Sequence, residues 1–326
     1  MADEQKMEQP QAGADSQLSE TSEFSMLLQK EFKPRTDRVQ EQVENAVRTL
    51  AEYVLKDVNL VSADVIRTIE AIKAEIDGRL TKQMNLILHN EEFQKLESAW
   101  RGLHYLVNNS ETDEMLKIKV MNISKTELGG TLKKYKGTRW DTSPIFKKIY
   151  GAEYDRMGGE PYGCLVGDYY FDHSPPDVEL MGEMAKIAAA THAPFIAAAA
   201  PSVMQMDSWG ELSAPADLAK KFRDADYASW RSLRESDDSR YLGLAMPRFL
   251  ARLPYGAKTE PVDAFDFEED AEGADTSKYV WANSAYAMAA NINRAFKFYG
   301  WCSRIRGVES GGAVEGLPVH TFATDD

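Results

Sequence analysis

Several features that mark secreted, membrane and metal-binding proteins are scarce in this 326-residue sequence. Its two cysteines, Cys164 and Cys302, stand far apart and form no CxxC pair, which argues against a disulfide scaffold or a zinc site. The apolar stretch Ala193–Val203 contains two prolines and falls short of the roughly 18 residues of a membrane span. The N-terminus is acidic and polar, unlike a signal peptide. We therefore expect a cytoplasmic protein without membrane insertion.

Basic charge is also scarce, because 38 Lys and Arg residues face 52 Asp and Glu residues, for a net charge of −14. Two segments hold nearly all of this excess: residues 1–23 carry −5 and residues 260–275 carry −8. The remaining body is almost neutral, so copies repel each other weakly and no basic field attracts nucleic acid. We expect no nucleic-acid partner. The acidic segments are equally compatible with a role in solubility alone.

The motifs of common enzymes are missing. The stretch Gly311–Gly316 is followed by Leu317, so it lacks the lysine and hydroxyl of a phosphate loop, and no GxGxxG follows a strand-like segment. Ser310 is not in a GxSxG motif, and the five histidines form no HExxH pair. The acidic run at residues 265–270 lacks the spacing of a calcium loop, so we interpret it as solvated. The sequence predicts no catalytic residue, no cofactor and no metal.

The N-terminal part divides into three segments. Residues 1–22 are predicted to be a disordered acidic arm. Residues 23–33 form a predicted short amphipathic helix that ends before Pro34, with apolar residues at helical spacing: Phe24, Leu27, Leu28 and Phe32. Such a tethered helix is typical of a ligand for a groove, although docking on its own domain is the alternative. A helical region is predicted for residues 36–110, with apolar stripes at 39–54, 65–87 and 93–107.

Residues 111–326 show a different pattern. Strands are predicted at Leu116–Ile123, and at residues 163–171, 195–200 and 241–246, with helices between them at 124–135, 144–150 and from Pro175. An acidic surface loop is predicted at 257–277, and an Ala-rich helix at 281–299. Because the strands are apolar rather than alternating, the predicted fold class is α/β: an N-terminal helical region followed by an α/β domain with a mixed, substantially parallel sheet. Arg248 and Arg252, four apart on a possible helix, are interpreted as bidentate ion-pair partners.

Three blocks of the sequence carry a specific resemblance. They are Trp281–Phe322, which is rich in aromatic, small and Arg residues; Gly243–Gly256, which reads Gly-Leu-Ala-Met-Pro-Arg-Phe-Leu-Ala-Arg-Leu-Pro-Tyr-Gly; and Asn90–Tyr105. Taken in their order along the chain, from Asn90 to Phe322, they resemble the large sheath subunit of the bacterial type VI secretion system, the TssC or VipB family. Members of that family continue well beyond this point, so the resemblance implies a family member without its C-terminal portion.

The resemblance implies a structural role in a contractile sheath. In that family the large subunit forms a heterodimer with a small sheath subunit (TssB or VipA). Heterodimers polymerise around an inner tube next to a baseplate, and an AAA+ unfoldase recycles the contracted sheath in the cytoplasm of a Gram-negative bacterium. The helix with Phe24, Leu27, Leu28 and Phe32 matches the unfoldase-binding element in pattern. For the small subunit we expect contacts from Ile76, Leu80, Met84, Trp100 and Leu103.

Two other functions stay open at this point. One is a soluble scaffold or adaptor that never polymerises. The other is an α/β enzyme with an unrecognised site, which a convergent cluster of titratable groups in a deep pocket would favour.

Overall fold

Three parallel strands form the central sheet of the computed structural model, in the order β1-β2-β3. β1 is Leu165–Phe171, β2 is Phe195–Ala199 and β3 is Leu242–Ala245. A second sheet pairs β4, Phe249–Leu250, with β5, Trp281–Ala282, in antiparallel register. The structure describes residues 65–211, 220–271 and 275–318, together with residues 38, 45, 46 and 49. The predicted arm, the predicted short helix and most of the predicted helix at 39–54 lie outside these residues.

Six α-helices are numbered within the described ranges: α1 Val65–Leu88, α2 Glu91–Asn108, α3 Lys125–Lys134, α4 Pro175–Thr191, α5 Ala228–Glu235 and α6 Ser284–Tyr299. A helical turn at Pro144–Phe146 continues into a π-helix at Lys147–Tyr154. Short 3₁₀ segments occupy Gly137–Thr142, Pro201–Met204, Trp209–Glu211, Ala225–Tyr227, Asp237–Tyr241, Thr276–Lys278 and Val308–Ser310.

Capping residues account for several helix boundaries. The side chain of Asn90 accepts hydrogen bonds from the first backbone amides of α2. Ser124 and Glu127 form a reciprocal capping box at the start of α3. Asn283 caps α6 at its start, and Gly300 ends it in the left-handed region with φ of 75°, which a glycine adopts without steric penalty.

The central sheet is covered on both faces. All five residues of β2 are buried, as expected for a parallel strand between two helical layers. On one face, Phe195 and Ala197 of β2 join a core cluster with Met181 and Ile187 of α4. Val166 of β1 packs on the other cluster, which contains three residues of α6: Tyr286, Ala289 and Ala290. Side chains alternate between the faces along each strand, so α4 and α6 lie on opposite sides of the sheet.

The predicted fold class is confirmed: helices come first, and an α/β region with a parallel sheet follows. The predicted helix at 65–87 is α1, which has 24 residues. Two predictions are wrong. Leu116–Ile123 is not a strand, because its backbone has no partner strand among the described residues. Arg248 and Arg252 do not share a helix; they flank the short strand β4, which pairs with β5.

The chain divides into two compact units. One contains the described residues up to 83 together with 263–267, and the other contains the described residues of 84–262 and those from 268 onward. In the first unit, Ile72 is buried and the Thr81 hydroxyl donates to the backbone oxygen of Asp266 at 3.4 Å. The second unit contains the central sheet and the helices α2 to α6.

Candidate interaction surface

One face of α2 packs against its own chain. The Ser98 hydroxyl donates to the backbone oxygen of Trp281 at 2.5 Å, which joins α2 to β5. Gly102 is buried directly under the ring of Tyr286, and a Cβ atom at this position would lie 2.4 Å from two ring carbons. Leu106 is buried in the same cluster. Glycine at position 102 therefore permits the close approach of α2 to α6.

The opposite face of α2 carries large apolar side chains that are open to solvent. Trp100 is 66% exposed and Leu96 is 55% exposed. With about 100° of rotation per residue, four exposed positions fall within an arc of about 60°, roughly opposite Gly102. We call this arc the α2 stripe: Phe93, Leu96, Trp100 and Val107. A row of exposed apolar side chains that includes a tryptophan is typical of a protein–protein interface.

An ion-pair network fixes the orientation of α2 from its packed side. The guanidinium of Arg252, only 4% exposed, donates from Nε to Glu97 of α2 at 2.6 Å. Its Nη1 donates to Glu269 at 2.5 Å. Arg101 donates to Glu97 at 2.7 Å and to the Tyr255 hydroxyl at 2.8 Å. The network joins α2, the segment after β4 and the acidic loop within one unit.

In this network the positive charge of Arg252 and the negative charge of Glu97 are each stabilised by hydrogen-bonded partners. Burial opposes the charge of Arg252, but hydrogen bonds to Glu269 and Glu97 outweigh it and raise the pKa of the guanidinium. Burial likewise opposes the charge of Glu97, yet the hydrogen bonds from Arg252 and Arg101 keep its pKa below the ordinary value. These groups are engaged with one another, which is typical of a structural network rather than a catalytic site.

The acidic loop is therefore not solvated throughout, because Glu269 is 7% exposed. The interpretation of Arg252 as a bidentate partner is confirmed, since its two nitrogens Nη1 and Nη2 donate to the two oxygens of Glu269. Arg248 behaves differently and lies over the Trp281 ring at 4.6 Å. Spacing along the sequence gives no indication that Glu97 and Arg252, 155 residues apart, would meet.

The predicted contacts for a small subunit fall into different environments. Ile76 and Leu80 of α1 are 38% and 44% exposed. Met84 is half-buried. Trp100 belongs to the α2 stripe, whereas Leu103 is half-buried and packs against the cluster containing Leu106 and Tyr286. The predicted unfoldase contacts, Phe24, Leu27, Leu28 and Phe32, lie outside the described residues.

The apolar spacing of residues 93–107 predicted an apolar helix face that includes the α2 stripe. It did not predict which of these residues are exposed and which pack inside the chain. Phe93, Leu96 and Val107 are exposed together with Trp100, and Leu103 lies at the edge of the arc. Such a separation requires the position of α6, which covers Gly102. A helical stripe shows that a face is apolar and leaves open what covers it.

A metal site and a membrane span have no support in the described ranges. No group of three or more His, Cys, Asp or Glu side chains is arranged there to hold a metal ion. No described helix is both long and apolar enough to cross a membrane. Cys164 and Cys302 are free thiols, and burial raises the pKa of Cys164 to about 12. The α2 stripe is therefore the feature that most directly points to a function, namely binding of another protein.

Comparison with known proteins agrees with a structural protein that binds other proteins. Residues 70–326 match the tail-sheath N-terminal domain described as VipB, EvpB/VC_A0108. The chain is 71% identical over 307 residues to the type VI secretion system sheath protein TssC1 of Pseudomonas aeruginosa. It belongs to the VipB family of sheath proteins, and the resemblance seen in the sequence is confirmed. The match covers 94% of this chain and 62% of the Pseudomonas protein.

Proposed function

We propose that this chain is a structural subunit of the contractile sheath of a type VI secretion system. It forms a heterodimer with the small sheath subunit, and heterodimers polymerise around the inner tube and contract to propel it. The work of contraction comes from subunit packing, so the chain needs no active site of its own. The proposal includes a cytoplasmic location in a Gram-negative bacterium and contact with the baseplate.

The α2 stripe is the observation that carries this proposal. Its four large side chains lie on a helix that is already held by Gly102 and by the Glu97–Arg252 ion pair. Its orientation is therefore fixed before a partner arrives, which reduces the entropy lost on binding. Each large apolar side chain that becomes fully buried stabilises a complex by about 1.5–3 kcal/mol before ordering costs. Burial of the side chains around Trp100 therefore contributes to the stability of a heterodimer.

The distribution of charge supports association as well. Outside residues 1–23 and 260–275 the sequence is nearly neutral, so copies in a polymer repel each other weakly. Within the stripe itself, Phe93, Leu96, Trp100 and Val107 are apolar, whereas the ionised groups of α2 at Glu97 and Arg101 point into the internal network. A partner helix or strand with an apolar face matches this surface.

Co-purification tests the heterodimer. The chain is expressed with the small sheath subunit, and Trp100→Asp should reduce recovery of the complex at least tenfold, because it places a charge in an apolar interface. Leu80→Asp tests the exposed part of α1 in the same way. The matched control is Met157→Asp, which adds the same charge at a fully exposed position away from the stripe. Thermal unfolding of each free variant checks that the fold is retained.

Unchanged recovery of both folded variants would contradict the assignment of this surface. Sedimentation of the wild-type complex then separates a sheath subunit from an adaptor that never polymerises. A sheath subunit yields large helical particles, whereas an adaptor stays a small complex under the same conditions.

We also propose that Phe24, Leu27, Leu28 and Phe32 bind the recycling AAA+ unfoldase. The support is their i, i+3, i+4, i+8 spacing before Pro34, which is the spacing expected for one face of a short helix. A peptide of residues 18–35 should bind the N-terminal domain of the unfoldase, and Leu27→Ala with Leu28→Ala should weaken it at least tenfold. Equal fluorescence-anisotropy titrations for the two peptides would exclude this role.

A further inference from the structure

A segment between α2 and α3 has an unusual backbone. From Leu116 to Ser124 the chain runs without a turn, a bend or a helix. Within the described part of the chain, no hydrogen bond engages the backbone N–H or C=O groups of residues 117–122. The sequence has the alternation of a strand here, with Ile118 and Val120 among lysines. The segment thus has the residues of a strand and lacks the neighbour that would make it one.

Both ends of this segment are held in place. The Asp113 carboxylate accepts from the backbone amides of Met115 and Leu116 at 2.8 and 2.9 Å, and also pairs with Lys297 of α6 at 2.6 Å. At the other end, Ser124 is the N-cap of α3. The Tyr169 hydroxyl donates to the backbone oxygen of Ile123 at 2.7 Å. The unpaired backbone between these points is therefore preorganised rather than free to collapse.

The side chains of the segment have separate roles. Ile118 packs inward, against the cluster that contains Leu106 and Tyr286. Lys117 pairs with Glu160, and Lys119 pairs with Glu153 at 3.0 Å, so their charges are balanced within the chain. Val120 is 69% exposed and Met121 is 43% exposed. The exposed surface of this segment therefore consists of apolar side chains and unpaired backbone groups. Such a surface is not typical of a site for an anion or a nucleic acid.

We propose that residues 117–122 bind an extended strand of the small sheath subunit by β-augmentation. The backbone donors and acceptors of a second strand have the same spacing as the unpaired N–H and C=O groups of residues 117–122, so the two can pair along their length. A helix cannot pair in this way, because its backbone groups are bonded to each other within the helix. Pairing between two copies of this chain would instead protect the amides of residues 117–122 when the chain is alone in solution, so the two occupants are distinguished by experiment. This inference rests on the proposed heterodimer and assigns a backbone contact within it, separate from the side-chain contact of the α2 stripe.

Hydrogen–deuterium exchange tests the proposal on the wild-type protein. In the chain alone, the peptide covering residues 115–123 should exchange rapidly, because the amides of residues 117–122 have no partner among the described residues. In the co-purified heterodimer, exchange of this peptide should slow at least tenfold. A heterodimer that forms while this peptide stays fast would overturn the strand contact and leave the heterodimer standing. Failure of any complex to form would overturn both.

Proline substitutions give a signature that belongs to strand pairing. Neighbouring residues of a strand direct their N–H groups to opposite edges, and proline removes the donor. Lys119→Pro and Met121→Pro should therefore behave alike, and Val120→Pro should behave oppositely, with at least tenfold weaker binding for one class. Val120→Thr, which keeps the backbone donor, should bind within twofold of wild type. Loss with all three prolines or with none would contradict the proposal.

Discussion

The helices α2 and α6 are neighbours that use apolar residues in opposite ways. Along α6 the buried positions are mostly small, as at Ala285, Ala289 and Ala290. On α2 the largest apolar side chains, including Trp100 and Leu96, face solvent, while a glycine faces α6. Burial inside this chain therefore does not follow side-chain size. Small residues allow the two helices to approach closely, and the large ones remain available for a partner.

This contrast separates residues that stabilise the fold from residues that bind. Changes on the packed side of α2 should lower the free energy of unfolding, whereas changes on the α2 stripe should leave it nearly unchanged and alter association. The network of Glu97, Arg252 and Glu269 and the Gly102–Tyr286 contact belong to the first class. Trp100 belongs to the second.

The largest loss of stability is expected from Arg252→Met. This change leaves the carboxylates of Glu269 and Glu97 buried without their main counter-charge, and breaking a buried ion pair in this way costs about 3–5 kcal/mol. Urea unfolding followed by circular dichroism measures the loss. Arg252→Met combined with Glu269→Gln should recover part of the stability, because one of the unpaired charges is removed. A single variant within about 0.5 kcal/mol of wild type would show that the network is not structural.

A smaller loss is expected from Gly102→Ala. The added Cβ would meet the ring of Tyr286 at 2.4 Å, so α2 and α6 have to separate, and overpacking of this kind costs about 1–3 kcal/mol. The matched control is Gly130→Ala in α3, where the added Cβ meets nothing within 4 Å. There alanine should stabilise the helix by about 0.5–1 kcal/mol. Equal changes in the two variants would contradict the close α2–α6 contact.

The fold was largely predictable because its signals are local. Short windows of sequence show the apolar residues at helical spacing along the 24 residues of α1, the apolar strands β1 to β3 and the capping residues of α3. The strand predicted at Leu116–Ile123 was wrong because strand structure depends on a partner, which residue pattern does not supply. A helix was predicted at residues 144–150, but its π-helical hydrogen bonding from Lys147 to Tyr154 was not, since amino-acid composition does not reveal the hydrogen-bond register.

The candidate surface was only partly predictable. Trp100 was among the predicted contacts and is exposed, but the division between the exposed Leu96 and the half-buried Leu103 depends on where α6 packs. The sequence of the acidic segment suggested that all of its carboxylates are solvated. Glu269 cannot be distinguished in sequence from the seven other acidic residues at 260–275, and only its contact with Arg252 shows that it is buried. Long-range contacts of this type have no local signature.

The smallest expected effect is a pH dependence at the edge of the packed face. Hydrogen bonds from the Lys297 ammonium and from the backbone amides of Met115 and Leu116 together lower the pKa of Asp113 from 3.8 to about 2. A depressed carboxylate pKa contributes stability above pH 3.8 that is lost as the pH falls towards 2. Lys297→Met should therefore reduce the loss of stability over that acid range, as measured by thermal unfolding at a series of pH values. The same loss of stability between pH 3.8 and 2 in the variant and in the wild type would contradict the role of the Lys297–Asp113 pair.

Hydroxyl-radical footprinting of tryptophan tests the central claim most directly. Trp100 and Trp301 are almost equally exposed, at 66% and 67%, so they should oxidise at similar rates in the chain alone. On binding of the small sheath subunit, oxidation of Trp100 should fall at least fivefold relative to Trp301, because the α2 stripe becomes buried. Unchanged relative oxidation of Trp100 in an intact complex would contradict the claim that this stripe is the interface.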